Sequence, residues 1–336
     1  MAQARGQVLL IVVVVPLLIL AMVLTATVVY QEEIRGGRLI KDAERSQALL
    51  RLEIAEASST LHAQIDGLSD NRELAEAMAA GNAGTLERLV APIFAHMRDQ
   101  HNISHLYFTR PDRSPLLRLD GTGKSGQVVD RLTLYDTAES AGSSDGLDLN
   151  AFGVVTLRVT VVWRDTSGKL IGFVEIGRDI APLIDEVHRV MGLDILLLVK
   201  KELLDRDRWE EGERQSGAQG SWDELANAVS VARTLPTIPT AIGLMLEDGQ
   251  PSMTGGITIV GVGKRSLAMS VHPLLDLEKK PIGDVVLLRD VTDTSRSMTR
   301  SLALLVLFAT VLIIAGALRC RWLLAMEKPA NAPPTV

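Results

Sequence analysis

Two uncharged apolar runs, one near each end of the 336-residue chain, restrict its possible folds more than any other feature. Val8–Tyr30 holds 23 residues without a charge, and a helix of that length, at about 1.5 Å per residue, crosses a bilayer core of roughly 30 Å. Ser301–Leu318 is shorter, at 18 residues, but Arg319, Arg321 and Trp322 behind it are suited to the membrane interface. The first run is longer than the apolar part of a signal peptide, and the residues around Leu24–Ala26 contain no Ala-x-Ala cleavage site, so it is expected to remain as an anchor. The expected layout is a cytoplasmic start at 1–7, membrane helices at 8–30 and 301–318, and a short cytoplasmic tail at 319–336. A large insert then lies outside the cytoplasm. Local charge does not fix this orientation by itself, because Arg5, Arg319, Arg321 and Lys328 are opposed by Arg35, Arg38, Arg296 and Arg300.

Setting aside Arg5, Arg319, Arg321, Glu327 and Lys328, the insert carries 31 basic and 40 acidic residues. An acidic domain of this kind repels nucleic acid and anionic lipid surfaces. The single cysteine, Cys320, excludes an internal disulfide framework, so the insert is held by its core. No catalytic set is recognisable. Gly121–Ser125 imitates the end of a phosphate loop, but Arg118 stands where the earlier glycine is required. His101 and His105 are four apart without the glutamate of a zinc helix. The chain is therefore expected not to be an enzyme and to need no cofactor or metal.

Beyond the first run, Ile40, Ala43, Leu50, Ile54, Ala57, Leu61, Ile65 and Leu68 recur at spacings near 3.5, which predicts a long helix leaving the membrane. Its stripe suits a sheet, a twin helix in a parallel homodimer, or both. Gly36 and Gly37 mark either a hinge or an interfacial irregularity. Asn71 is placed to cap a short helix, and another is predicted over 85–100. His105–Arg110 and Pro115–Gly121 read as one strand pair. A second pair, VVTLRVTVVW and KLIGFVEIGRD, flanks a turn at Asp165–Gly168. Alternation in these strands puts Leu157, Val159, Val161 and Trp163 on one face and Thr156, Arg158 and Thr160 on the other. Asp179 is placed to cap a helix that ends at Gly192. The second half reads as a strand at LDILLLVKK, a polar helix at ELLDRDRWEEGERQ, a helix at SWDELANAVSVARTL, and strands at IGLMLEDG, GGITIVGVG, SLAMSVHPLL and IGDVVLLRDV. The fold class is α+β, with tandem lobes behind a long N-terminal helix: membrane-proximal helices over 31–101, lobe 1 over 102–192, and lobe 2 with its exit helix over 193–298.

HLYFTRPDR, LLRL, the arginine of VVDRLTL, GVVTLRVTVVW, GKLIGFVEIGRDI and KKELLDRDRWEEG together resemble the third double Cache family of bacterial transmembrane sensors, chemoreceptors and sensor kinases, over roughly residues 40–290. The resemblance implies PAS-like lobes in the periplasm, two membrane passes in the bacterial inner membrane, and a small-molecule ligand whose binding moves the membrane helices. VVLLRDVTD similarly resembles the exit of PAS sensors, with Asp290 and Thr292 fixing the start of a signalling helix.

Tyr107, Arg118, Arg131, Arg158 and Glu175 are polar groups in or beside otherwise apolar strands, and are the candidate ligand-binding residues. Arginine forks suit carboxylate or phosphate, which points to a small anion. Alternatively, Arg158 and Glu175, on neighbouring strands, simply pair with each other. Because only 18 residues follow Leu318, signalling is expected to pass through a separate partner protein. The competing expectation is an envelope ligand-binding or scaffolding protein that transmits nothing, or a receptor that has lost its output.

Overall fold

The computed structural model describes residues 2–120, 132–216, 220–247 and 256–326, with some residues inside the helices described by backbone alone. It divides into two compact units: residues 1–39, 264–266 and 291–336 form one, and 40–263 with 267–290 form the other.

The helices in chain order are α1 (Ala2–Ser69), α2 (Arg72–Ala79), α3 (Ala83–His101), α4 (Leu132–Ala141), α5 (Ile180–Met191), α6 (Arg206–Ser216), α7 (Thr240–Glu247) and α8 (Thr292–Met326). The strands are β1 (Ile103–Thr109), β2 (Pro115–Asp120), β3 (Ser143–Leu149), β4 (Val155–Arg164), β5 (Leu170–Asp179), β6 (Asp194–Lys200), β7 (Ala228–Arg233), β8 (Ile257–Val262), β9 (Arg265–Leu275) and β10 (Pro281–Asp290).

In the smaller unit, Val8–Tyr30 falls within α1 and Ser301–Leu318 within α8, so both apolar runs are helical, as are Gly36 and Gly37. Many side chains of the two runs lie outside the described residues. Among the described residues, no helix is long and apolar enough to cross a membrane. The start of α8 is pinned to the beginning of β9: Val291 N–H donates to Ser266 O at 2.8 Å, and Ser266 N–H donates to Thr292 Oγ1 at 2.9 Å. Thr292 thus fixes the helix start through a neighbouring strand.

The larger unit holds two antiparallel five-stranded sheets, ordered β2-β1-β5-β4-β3 and β7-β6-β10-β9-β8. The two orders are the same pattern shifted by five strands, which makes the lobes topological copies. The alternation in the β4–β5 hairpin is realised with Thr160 opposite Glu175 and Val162 opposite Phe173. Its turn is tied by Asp165 Oδ1, which accepts from the Ser167 and Lys169 amides, and Gly168 takes the left-handed φ of +83° that closes it. Leu106, Phe108, Leu157, Val159, Val174 and Ile176 form the buried face of the first sheet, in one core with Leu61, Ile65 and Leu68 of α1. Trp163 belongs to that core and lies 6.1 Å from the Phe108 ring, centroid to centroid.

Several expectations need correction. The stretch 240–247 is helix α7, not a strand, and the stretch expected as the helix SWDELANAVSVARTL holds a single 3₁₀ turn at Trp222–Glu224 followed by strand β7. Each sheet therefore has five strands, the first gaining β3. The buried stripe of α1 does not extend back to Ile40, which is 45% exposed. Asn71 caps α2 by accepting from the Glu73 and Leu74 amides. Asp179 makes no cap hydrogen bond, and its Oδ1 instead accepts from Thr156 Oγ1 at 3.4 Å.

Within this unit α1 runs past both lobes. Ser58 Oγ donates to Asp145 Oδ2 at 2.7 Å in the first, and Asp42 Oδ2 lies 3.5 Å from Arg289 Nη1 in the second.

Candidate functional site

The face of the first sheet opposite α1 carries a polar row to which all five strands contribute. Arg118 on β2 lies directly opposite Tyr107 on β1, Tyr107 opposite Glu175 on β5, and Glu175 opposite Thr160 on β4. Arg158, two residues before Thr160, and Asp148 on β3 extend the row to the far edge. Period-two alternation allows this: each strand turns its apolar residues to the core and its polar ones to this side.

The centre of the row is buried. Glu175 is 1% exposed and Arg158 5%. Arg158 Nη1 donates to Glu175 Oε1 at 2.5 Å, and Arg158 Nε lies 2.7 Å from Asp148 Oδ2 as an ion pair. The N–H direction there is not aligned, and Arg158 Nε has no hydrogen bond among the described residues. Thr160 Oγ1 is likewise without one among the described residues. His105 Nε2 lies 3.3 Å from Glu175 Oε1 and 3.2 Å from Arg158 Nη1. Burial works against the Arg158 charge, but the Glu175 and Asp148 carboxylates outweigh it, so the guanidinium holds its proton more tightly than an ordinary arginine.

Aromatic groups order the remainder. The His105 and Tyr107 rings are 4.6 Å apart, and the Arg118 guanidinium stands 5.1 Å from the Tyr107 centroid, a cation–π distance. Arg118 is only partly buried and has no carboxylate within ion-pair distance among the described residues. Helix α4 covers one end of the face. Its Tyr135 hydroxyl lies 3.2 Å from Thr109 Oγ1, and its ring is 5.0 Å from that of Phe173.

Of the five residues expected at a site, the structure brings Tyr107, Arg118, Arg158 and Glu175 into this row. Arg131 lies outside the described residues, as does Gly121–Ser125. The pairing of Arg158 with Glu175 is present. Residues that sequence reasoning missed are His105, Asp148, Thr160 and Tyr135. His101 ends α3 and is exposed, apart from the buried His105, and no group of three metal-ligating side chains occurs among the described residues.

His105 fits because its register partner is Gly177. A Cβ at Gly177 would overlap the imidazole, lying 2.6 Å from Nδ1. Gly177→Ala is therefore expected to displace His105 from the Arg158–Glu175 pair and to cost about 1–3 kcal/mol. Urea unfolding measures this, and an unchanged midpoint would show that the imidazole is not held where it stands.

The family described as the double sensory domain of two-component sensor kinases matches residues 46–294. No curated protein matches the chain. Among solved structures, the periplasmic domain of Vibrio cholerae LuxQ aligns at 13% identity and TM-score 0.46, covering 74% of this chain and 99% of that one. The ligand-binding domain of the Campylobacter jejuni chemoreceptor Tlp3 in complex with L-valine aligns at 11% identity and TM-score 0.41, covering 79% and 95%. The ligand-binding domain of the Pseudomonas aeruginosa amino acid chemoreceptor PctC in complex with GABA aligns at 16% identity and TM-score 0.34, covering 73% and 97%.

Proposed function

This chain belongs to the third double Cache family, the double sensory domain of two-component sensor kinases, and on that premise we propose that it is a membrane-anchored extracytoplasmic sensor whose first lobe binds a small carboxylate-bearing ligand. The observation that carries the proposal is the polar row on the first sheet: a partly buried arginine on its edge strand β2 and a buried ion-pair cluster further along the row. Burying several charges on one sheet face is costly unless they are paired or used. Here Arg158 is neutralised by Glu175 and Asp148, which leaves the Arg118 fork to receive the ligand's carboxylate, with Tyr107 as a flat wall beside it. Arg131, expected at the same site, is proposed as a second donor.

Anchoring is proposed from the composition of Val8–Tyr30 and Ser301–Leu318. A ligand with different affinities for two arrangements of the lobe shifts their populations. A separate signalling protein is proposed to take up that shift, and a parallel dimer through α1 is proposed as the assembly.

The test is a thermal-shift screen of the full chain in detergent against carboxylates, phosphates and amines. Carboxylates should raise the melting temperature increasingly above their dissociation constant. Arg118→Ala should weaken the best carboxylate about 10- to 100-fold, the worth of a charge-assisted hydrogen bond of about 1.5–3 kcal/mol. An amine hit indifferent to Arg118→Ala would refute the assignment. Topology is tested separately, by a reporter inserted after Ser216. Activity confined to the cytosol would remove the sensing role.

A further inference from the structure

A cavity of about 400 Å³ opens in the second lobe, within the range of about 300–1,000 Å³ typical of small-molecule sites. It lies on the face of the second sheet where Leu196, Leu198 and Val286 pack against Ile242 of α7. Leu198, Leu225 and Leu246 make an apolar lining, and Lys200 and Asp284 bring opposite charges to it. Asp284 is the register partner of Leu198. Lys200, two residues further along β6, is therefore its diagonal neighbour on the same face, at a spacing of about 7–8 Å.

The two charges do not meet. Among the described residues Asp284 has neither an ion pair within 4.0 Å nor a hydrogen bond. Burial pushes its carboxyl pKa up, and Lys200 offsets that only in part. Among the described residues Lys200 itself has only Glu202 at 3.8 Å, an exposed pair worth little. The remaining charges at the cavity are engaged by backbone. Lys201 Nζ donates to Leu225 O and to Ala226 O, and Glu247 Oε1 accepts from Ala226 N–H at 2.8 Å.

We propose that this cavity is a second ligand site, separate from the polar row of the first lobe, and that it takes a small zwitterion. The ligand's ammonium group sits on Asp284, its carboxylate on Lys200, and its apolar body on the leucines. The two side chains rise from diagonal positions on one face without pairing within 4.0 Å, so a ligand whose own charges are one or two carbons apart, an α- or β-amino carboxylate, can lie between them with a contact of about 2.9 Å to each. A ligand with one charge satisfies one wall and leaves the other as it was.

The experiment is isothermal titration, in detergent, of the full chain and of its Arg118→Ala variant, in which the carboxylate site of the first lobe is removed. The titrants are L-norvaline and its two half-charged counterparts, butylamine and pentanoate, and the three ligands are compared in the Arg118→Ala variant. Norvaline is expected to bind, with each counterpart at least tenfold weaker. Asp284→Asn, which removes one charge, and Ala226→Trp, which fills the cavity from an exposed lining position, should each weaken norvaline at least tenfold. Asp284→Asn should leave the melting temperature unchanged or higher, because the carboxylate it removes has no partner among the described residues. The proposal is overturned if norvaline fails to bind, if either counterpart binds as tightly, or if binding survives both substitutions. Binding lost in Arg118→Ala and kept in both cavity variants would place norvaline in the first lobe and overturn it equally.

Discussion

Arg158→Ala is expected to lower the unfolding free energy by about 3–5 kcal/mol, the cost of leaving a buried charge without its partner. Glu175 is 1% exposed, and its Oε1 accepts directly from the Arg158 guanidinium. Once that cation is gone, Glu175 must remain charged in a poorly hydrated place, take up a proton, or open the sheet to water, and each course costs free energy. Asp148, at 22% side-chain exposure, can turn to solvent and loses less. The double substitution Arg158→Leu with Glu175→Leu should regain most of the loss, since replacing both members of a buried pair by apolar groups is often neutral. Denaturant unfolding of the three proteins measures it. A single variant as stable as the wild type would mean that the cluster is hydrated and that its burial carries no energetic weight. The same series separates fold from function, because the double variant should fold yet lose the buried charges behind the ligand site.

The β4–β5 hairpin was legible because its two signals agree. Alternation assigns faces, and Asp165–Gly168 supplies turn chemistry between runs of equal length. From it follow the opposed placement of Val159 and Thr160 and the presence of Arg158 and Glu175 on one face. The lobe's edges were less legible. SSDGLDL has too few apolar residues to declare a strand, and β3 is held by its ladder to β4 rather than by propensity. Missing β3 meant missing Asp148, the second carboxylate on Arg158. Around residue 230 both periods fit: Leu225, Ala228, Val229 and Ala232 have helical spacing, yet Val229 pairs with Val199 in a strand. For α7 the missed signal was Pro239. Its carbonyl accepts from the Ile242 and Gly243 amides and opens the helix, so a proline just ahead of a short apolar run deserved more weight than the run itself. The charged row was visible as residue types, but the capture of Arg158 by carboxylates from two strands is a property of register.

Trp209→Ala is expected to cost about 3–5 kcal/mol, the usual loss for deleting a large buried aromatic, from a helix that looks dispensable in sequence. α6 reads Arg-Asp-Arg-Trp-Glu-Glu and is polar almost throughout, yet Trp209 is 2% exposed. It is seated against the turn that joins β3 to β4. Gly153 there takes a φ of +81°, and a Cβ on it would lie 3.0 Å from Trp209 Nε1. On the other side a Cβ at Gly220 would lie 3.0 Å from Trp209 Cζ2, and the Trp222 ring stands 5.5 Å away. The indole thus fills a slot between a first-lobe turn and the second lobe, close to where Leu277 N–H donates to Leu147 O at 2.9 Å. Removing it takes packing from both sides at once, so the loss should show as earlier hydrogen exchange in β3 and β4 as well as a lower urea midpoint. Trp209→Phe, which keeps an aromatic in the slot, should lose less than half as much. If Trp209→Ala unfolds at the wild-type midpoint with unchanged exchange in β3 and β4, the two lobes are not joined through this side chain, and the Leu277–Leu147 contact and the shared core with α1 must carry that role.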